Sequence, residues 1–246
     1  MNFPRLLLIA LVLAAALLGS ARVLSKFFVR VKQEQAIAVK GYAEKEVRSD
    51  AGKFTVTVGA RGATQSDAIE TLKQRRQRIV EALLARGFAE TDVRLQSPEQ
   101  RKILRKDAQG KDTNEIEYFD LYQTITVQSG AVDKIYEASI DLPNLLAEGI
   151  DLNVSAPEFL LTSMEALKRE LLAKATEDGY QRARVMAENS GGRVGELVSA
   201  QQGVIQITAP LSTETSSWGM YDTTTIEKTA KVVVSLQYAI LPAGAR

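Results

Sequence analysis

The chain has 246 residues, of which 45% are apolar and 25% are charged, a composition typical of a folded globular protein. Its 31 Lys and Arg residues balance 30 Asp and Glu residues, so no whole-protein field would attract nucleic acid or anionic lipid. Cysteine and histidine are both absent, which excludes disulfides and removes the commonest general base and metal ligand, so we expect no cofactor, metal site or catalytic residue.

The first 30 residues predict a membrane-directed segment. Arg5 precedes an unbroken apolar run from Leu6 to Leu18, and small residues follow, which is the pattern of a signal peptide. Apolar character continues to Phe28, so the run approaches the ~20 residues that span a bilayer. We therefore expect residues 1–30 to be a signal peptide or a transmembrane anchor, and the extended run favours a retained anchor.

The charges around this segment bear on its orientation. The basic residues that follow the apolar run outnumber the single one before it; they are Arg22, Lys26, Arg30 and Lys32. By itself the positive-inside rule would favour the opposite topology. We still expect an exported domain in the periplasm or cell envelope, anchored in the inner membrane by one N-terminal helix.

Two alternating stretches and a helix follow. The stretches at 37–43 and 53–59 alternate as strands do, and the turn-forming residues 49–52 lie between them, so they predict a hairpin. Thr64 to Asp67 predicts a capped helix start, and Gly87 suits the helix end. The apolar stripe of this helix is Ile69, Leu72, Ile79, Val80, Leu83 and Leu84.

Basic residues cluster in two places. The first cluster lies on this helix and comprises Lys73, Arg75, Arg76 and Arg78; the second comprises Arg101, Lys102, Arg105 and Lys106. Acidic residues interleave with the first cluster, which favours a solvated face over a phosphate-binding one. No aromatic residue interleaves with the second, so we expect no nucleic-acid binding. The two clusters could bind an anionic polymer only if they shared one face.

The remaining pattern predicts two more helices and several strands. The clearest strand is 117–128, and the helices are expected at 131–140 and 162–189. Glycines at 191–195 follow a helix and therefore suit a cap and a turn, since a phosphate loop would precede a helix. Further strands are predicted at 93–96, 150–154, 197–201, 203–208 and 229–240. We therefore expect an α+β fold, with a mixed or antiparallel sheet, about three helices and a preceding N-terminal hydrophobic helix.

A polar stretch from Leu211 to Thr225 contains the only tryptophan of the chain. Its composition predicts a loop between strands. Because aromatic residues are enriched where partners bind, Trp218, Met220 and Tyr221 form the candidate interaction site, in contact with a neighbouring subunit or another envelope protein. The alternative is that Trp218 folds back onto its own domain as a lid.

The order of elements resembles the SIMPL-domain family of bacterial envelope proteins. The resemblance rests on the stretches at 39–47, 122–127, 183–197 and 226–236, and it covers residues 36–241. It implies an exported α+β domain, and some members assemble into homo-oligomeric rings. It also implies a role in envelope maintenance or oxidative-stress tolerance, and it supplies no catalytic residues. The basic segment from Arg101 to Lys106 and the long N-terminal run depart from the family pattern.

These observations together favour a non-enzymatic binding or assembly module of the cell envelope. We expect a homo-oligomer that meets the membrane through its N-terminal segment and binds an unknown envelope protein or ligand. One alternative is a carboxylate-based hydrolase that uses Glu117, Asp120 or Asp151, although alternation puts Glu117 and Asp120 on opposite faces of a strand. The other is an anionic-polymer binding protein that uses the basic clusters.

Overall fold

The computed structural model describes residues 36–242, which form ten strands and three α-helices. The strands are β1 (Ala36–Arg48), β2 (Ala51–Gly62), β3 (Val93–Leu95), β4 (Glu99–Lys106), β5 (Asp112–Ser129), β6 (Leu152–Val154), β7 (Glu158–Leu160), β8 (Gly192–Gln202), β9 (Gln206–Thr208) and β10 (Glu227–Pro242). The helices are α1 (Gln65–Ala85), α2 (Val132–Asp141) and α3 (Met164–Asn189). The α+β class with antiparallel sheets and three helices is confirmed. The predicted N-terminal hydrophobic helix lies outside the described residues.

The chain divides into two compact units. The larger unit comprises Lys45–Lys168 and Gln206–Ala230. The smaller unit comprises, among the described residues, 36–44, Arg169–Ile205 and 231–242. Within residues 36–242, no helix combines the length and the hydropathy needed to cross a membrane.

The larger unit is built on a sheet of six strands, which we call the large sheet. Its order is β3-β5-β2-β6, and β4 also pairs with β5 while β7 also pairs with β2. The inward residues of β2 and β5 alternate as predicted and pack with α1 and α2 into one apolar core. The largest fully buried side chains of this core are Phe54, Leu72, Ile79, Leu83, Ile125, Ile135, Leu142 and Phe159.

Helix α1 begins where the sequence predicts. The Thr64 hydroxyl accepts a hydrogen bond from the Asp67 backbone N–H at 3.2 Å, and the Asp67 carboxylate accepts one from the Thr64 N–H at 3.2 Å. This reciprocal cap satisfies N–H groups that have no partner within the helix. The helix ends at Ala85, and Gly87 follows with a left-handed φ of 81°. Of the predicted apolar stripe, Leu84 is exposed.

The predicted hairpin is wrong, because β1 and β2 belong to different sheets. The turn residues between them are held by other segments of the larger unit. Ser49 N–H donates to the Ile226 carbonyl at 2.9 Å, and Asp50 N–H donates to the Leu160 carbonyl at 3.0 Å. The Asp50 carboxylate also accepts the backbone N–H groups of Thr162 at 2.7 Å and Ser163 at 3.2 Å, just before α3 begins. The turn therefore links two sheets instead of folding one strand back on the other.

In the smaller unit, α3 packs against a sheet with the strand order β1-β10-β8. The helix and β1 come together at glycines: a Cβ on Gly41 would lie 1.9 Å from the Ala175 carbonyl oxygen, and one on Gly179 would lie 2.5 Å from Leu236 Cδ1. Only residues without a side chain permit this backbone contact. The predicted cap and turn at 191–195 is confirmed only at Gly191, which has a φ of 76°, because β8 begins at Gly192.

Candidate functional site

The three candidate interaction residues lie on the segment between β9 and β10, residues 209–226, which we call the Trp218 loop. The loop belongs entirely to the larger unit. At its start, Ser212 N–H donates to the Ala209 carbonyl at 3.2 Å. Leu211 lies within this turn with a left-handed φ of 62° and an exposed fraction of 98%. A left-handed backbone is unfavourable for a side chain of this size, so the turn holds Leu211 in an outward position.

A buried glutamine fixes the tip of the loop. The Gln206 side-chain amide donates to the Ser216 carbonyl at 2.7 Å, and its oxygen accepts the Ser216 N–H at 3.4 Å. Ser216 in turn accepts two hydrogen bonds, from Trp218 N–H to its hydroxyl at 3.3 Å and from Gly219 N–H to its carbonyl at 3.2 Å. The resulting tight turn directs the Trp218 ring into solvent, with 92% of the residue exposed.

Met220 and Tyr221 have a different role from Trp218. The Met220 carbonyl accepts Ile207 N–H at 2.8 Å, which ties this part of the loop to β9. The Tyr221 hydroxyl accepts Leu161 N–H at 2.7 Å and donates to the Leu161 carbonyl at 3.1 Å. Met220 is half-buried. Of the predicted trio, Trp218 is therefore the most exposed, whereas Met220 and the Tyr221 hydroxyl hold the loop in place, although 42% of Tyr221 is exposed. Trp218 does not fold back as a lid.

The end of the loop is held by a buried ion pair that the sequence analysis missed. The Lys228 side chain is fully buried, and its Nζ donates to the backbone carbonyls of Asp222 and Thr225, both at 2.6 Å, and to the Asp222 carboxylate at 3.2 Å. Thr224 and Thr225 donate to the same carboxylate through their N–H and hydroxyl groups. An Asp followed by threonines is the signal of such a turn, but nothing in the sequence distinguishes Lys228 from a surface lysine.

The surroundings of this pair shift the pKa of both groups. Burial opposes ionisation of Asp222, but the hydrogen bonds from Thr225, Thr224 and Lys228 outweigh it and hold the pKa of that carboxyl well below its usual value. Burial lowers the pKa of Lys228, and its contact with Asp222 acts in the opposite direction. The pair is thus a structural anchor of the Trp218 loop, because Lys228, near the start of β10, donates to Asp222 and Thr225 of the loop.

The loop thus combines a fixed backbone with exposed apolar side chains. Leu211 and Trp218 are the most exposed large apolar residues among the described residues. A rigid loop loses little conformational entropy on binding, and Trp is enriched among residues that dominate interface energies. The geometry is suited to contact with an apolar surface.

The candidate carboxylates of the hydrolase alternative differ in burial, although a Cβ on Gly59 would lie 3.2 Å from Asp151 Oδ2 and 3.3 Å from the ring of Tyr122, whose hydroxyl binds Asp120. Asp120 is buried, and its partners are the Arg61 Nε at 3.4 Å and the Tyr122 hydroxyl. Glu117 and Asp151 are exposed. No group of three or more acidic residues within residues 36–242 is arranged to hold a metal ion.

The two basic clusters do not form one surface. Helix α1 packs on the face of the large sheet that includes Leu121, whereas Arg101 lies over the ring of Tyr122 on the opposite face. One residue of each cluster has an acidic partner: Arg78 pairs with Glu148 at 2.9 Å, and Arg105 pairs with Glu115 at 2.9 Å. The condition for anionic-polymer binding, a shared face, is not met.

Comparison with known proteins gives a family and little more. The SIMPL family model, described as a protein of unknown function (DUF541), matches residues 37–238. No curated protein matches the chain. A solved structure described as a proposed glycine cleavage system transcriptional repressor is 10% identical, with a TM-score of 0.21, over 80% of this chain and 84% of the other.

Proposed function

The chain belongs to the SIMPL family, and from that premise we propose that it is a non-enzymatic binding and assembly module of the cell envelope. Its contact surface is the Trp218 loop, and its first partner is a second copy of the same chain. This proposal rests on the contrast between the fixed backbone of the loop and its exposed tryptophan. Gln206 and Lys228 fix its backbone, whereas Trp218 stays 92% exposed.

The energetics of the loop support a binding role. A tryptophan that served only the fold would bury its ring, because burial of a large apolar side chain stabilises a protein by about 2–3 kcal/mol. The buried side chain of Gln206 instead holds the turn that keeps the ring in water, and buried Lys228 holds the end of the same loop. Association with an apolar surface would bury the Trp218 ring and so gain the stabilisation that the ring does not contribute to folding.

Strand β8 of the smaller unit favours a second copy as the partner. It is 11 residues long, and within the described chain it pairs along one edge only, with β10. Its Leu197 and Val198 are 50% and 56% exposed. A long edge strand with exposed apolar side chains is a template for pairing with another chain, and proteins generally cover such an edge. Self-association would cover it.

The N-terminal segment is the basis for the place of action that we propose. Residues 1–30, retained as an anchor, would hold the domain at the outer surface of the inner membrane, where it would contribute to envelope maintenance or oxidative-stress tolerance. Mass spectrometry of the chain purified from membranes tests the anchor. We expect the full-length mass, and a chain that starts near Arg22 would contradict it.

The oligomeric state tests the proposed surface. Native mass spectrometry of the full chain in detergent should detect an oligomer for the wild type and a monomer for Trp218→Ala. Tyr136→Ala is the matched control, because Tyr136 is a 49%-exposed aromatic residue of α2, and its removal should leave the oligomer intact. A wild-type monomer, or an oligomer that survives Trp218→Ala, would contradict the proposal.

A further inference from the structure

The large sheet has a second face, opposite α1 and α2, on which side chains of neighbouring strands form rows. We call it the outer face, and define it by Thr57, Arg61, Arg101, Asp120 and Tyr122. Asp120 of β5 lies in register between Arg101 of β4 and Arg61 of β2. In the next row, Tyr122 lies in register with Glu99 on β4 and with Gly59 on β2. Side chains in register across neighbouring strands are close enough to contact each other.

Asp120 is already used by the fold, which leaves Arg101 available. The Asp120 carboxylate accepts hydrogen bonds from Arg61 and from the Tyr122 hydroxyl. Arg101 instead lies over the Tyr122 ring, with its guanidinium carbon 5.6 Å from the ring centroid. Within residues 36–242, Arg101 forms no ion pair. Its guanidinium is therefore positioned by a ring while its N–H donors remain available.

Tyr122 itself is fixed in position. Its hydroxyl is bound to buried Asp120, and a Cβ on Gly59 would lie 3.3 Å from its Cε1 atom. Gly59 thus leaves room for the ring to lie across β2. Hydrogen bonding to Asp120, together with burial, raises the pKa of Tyr122. The ring is thus a firm support for Arg101.

Next to this support lies a polar cavity of about 400 Å³ in the larger unit. Its lining includes Thr57, Ser97, Glu99, Arg101, Tyr122 and Thr124. It therefore presents one cation, one anion and several hydroxyl groups. Glu99 and Arg101 are two residues apart on β4, so their side chains project to the same face from backbone positions about 7 Å apart.

We propose that this cavity binds a small zwitterion of the amino-acid type, a free amino acid or a short peptide with both ends charged. Arg101 binds the carboxylate, Glu99 binds the ammonium group, and the hydroxyls of Thr57 and Thr124 bind the polar atoms between them. A dipeptide spans about 7 Å, which is about the distance between the backbone positions from which Glu99 and Arg101 line the cavity. The guanidinium fork suits a carboxylate because it offers paired N–H donors.

Other ligand classes fit the cavity less well. A sugar commonly stacks on an aromatic ring, but Arg101 occupies that position over Tyr122. A polyanion would meet the Glu99 carboxylate in the cavity. An apolar ligand would leave the polar lining without hydrogen bonds, which is unfavourable. The site is independent of the Trp218 loop and of the association proposed for it.

Ligand-observed saturation-transfer NMR with Ala-Ala dipeptide, on the full chain in detergent, tests this proposal. We expect transfer at about 10 mM peptide, which would detect a Kd in the millimolar range. N-acetylated Ala-Ala lacks the ammonium group and Ala-Ala amide lacks the carboxylate, and each should bind about tenfold more weakly, since a lost charged hydrogen bond has roughly that effect. The comparison of the three peptides needs no protein variant, so it tests the proposal even if a substitution disturbs folding.

Variants locate the site. Arg101→Gln and Glu99→Gln should each weaken Ala-Ala binding about tenfold. Lys102→Gln is the control, because Lys102 is exposed and follows Arg101 on the same strand, so its side chain projects to the other face of the sheet. Trp218→Ala should leave peptide binding unchanged, which separates this test from that of the proposed function. No transfer to the wild type, equal binding of the blocked peptides, or unchanged binding by Arg101→Gln would overturn the proposal.

Discussion

The ammonium group of Lys228 lies 2.6 Å from the backbone carbonyl of Asp222 and 3.2 Å from the Asp222 carboxylate, and the Lys228 side chain is shielded from solvent. We expect Lys228→Met to lower the free energy of unfolding by about 3 kcal/mol, because it removes the counter-ion of the half-buried Asp222 carboxylate and the donor to two backbone carbonyls. Urea denaturation measures the change. Lys174→Met is the control: Lys174 pairs with Glu170 in an exposed ion pair, and its loss should change stability by less than about 0.5 kcal/mol. Equal effects would contradict the anchoring role of Lys228.

The lowered pKa of Asp50 predicts how the free energy of unfolding depends on pH. Burial would raise the pKa of Asp50, but the hydrogen bonds from Thr162 and Ser163 prevail and lower it. The folded pKa is thus below the unfolded one, so the stabilisation is complete above about pH 4 and is lost as the pH falls through the folded pKa. We expect Asp50→Asn to show a smaller loss of unfolding free energy on acidification than the wild type. Denaturant titrations at a series of acidic pH values measure this, and an unchanged pH profile would refute it.

The glycine contact in the smaller unit predicts a steric effect. Gly41→Ala should lower the unfolding free energy by about 3 kcal/mol, because its Cβ would lie 1.9 Å from the Ala175 carbonyl oxygen. The control is Gly130→Ala, whose Cβ would lie at an ordinary 3.5 Å from the nearest atom, the Asp50 carbonyl oxygen. Thermal unfolding compares the two variants. If Gly41→Ala were as stable as Gly130→Ala, the helix and strand would not pack backbone to backbone.

Trp218 is the only tryptophan, so fluorescence reports directly on the proposed surface. At low protein concentration we expect the emission of a water-exposed indole that iodide quenches readily. As the concentration rises and copies associate, the emission should shift to shorter wavelength and quenching should fall. Emission typical of a buried indole at the lowest concentration, or no change with concentration, would argue against the Trp218 loop as the contact.

Local features of the fold could be predicted from the sequence, because their determinants are neighbours in the chain. The cap of α1 needs only Thr64 and Asp67, three residues apart, and the alternation of β5 needs only its own residues. The hairpin prediction failed for the opposite reason. The partners of Ser49 and Asp50 are Ile226 and Leu160, more than 100 residues away, and strand pairing depends on contacts at that distance.

The candidate site could be predicted in position but not in detail. A polar stretch around a lone tryptophan indicated a loop, and the loop is present. Trp218 and Tyr221 look equivalent in the sequence, yet only the position of Leu161 decides that the Tyr221 hydroxyl is used within the fold. The outer face could likewise not be predicted, because the row of Arg61, Asp120 and Arg101 joins three strands whose register the sequence does not specify.

The division into units has a consequence for how the chain matures. Neither unit is one continuous stretch: the larger one needs Gln206–Ala230 to join Lys45–Lys168, and the smaller one needs the residues that follow Lys231. A chain that is synthesised or exported from its N-terminus therefore cannot complete either unit until almost all of it has emerged. The apolar strands that are made first stay without part of their packing until the C-terminal segments of their unit are made. A premature stop before β10 would remove buried Lys228 and Ala230 from the larger unit and the last strand from the smaller one.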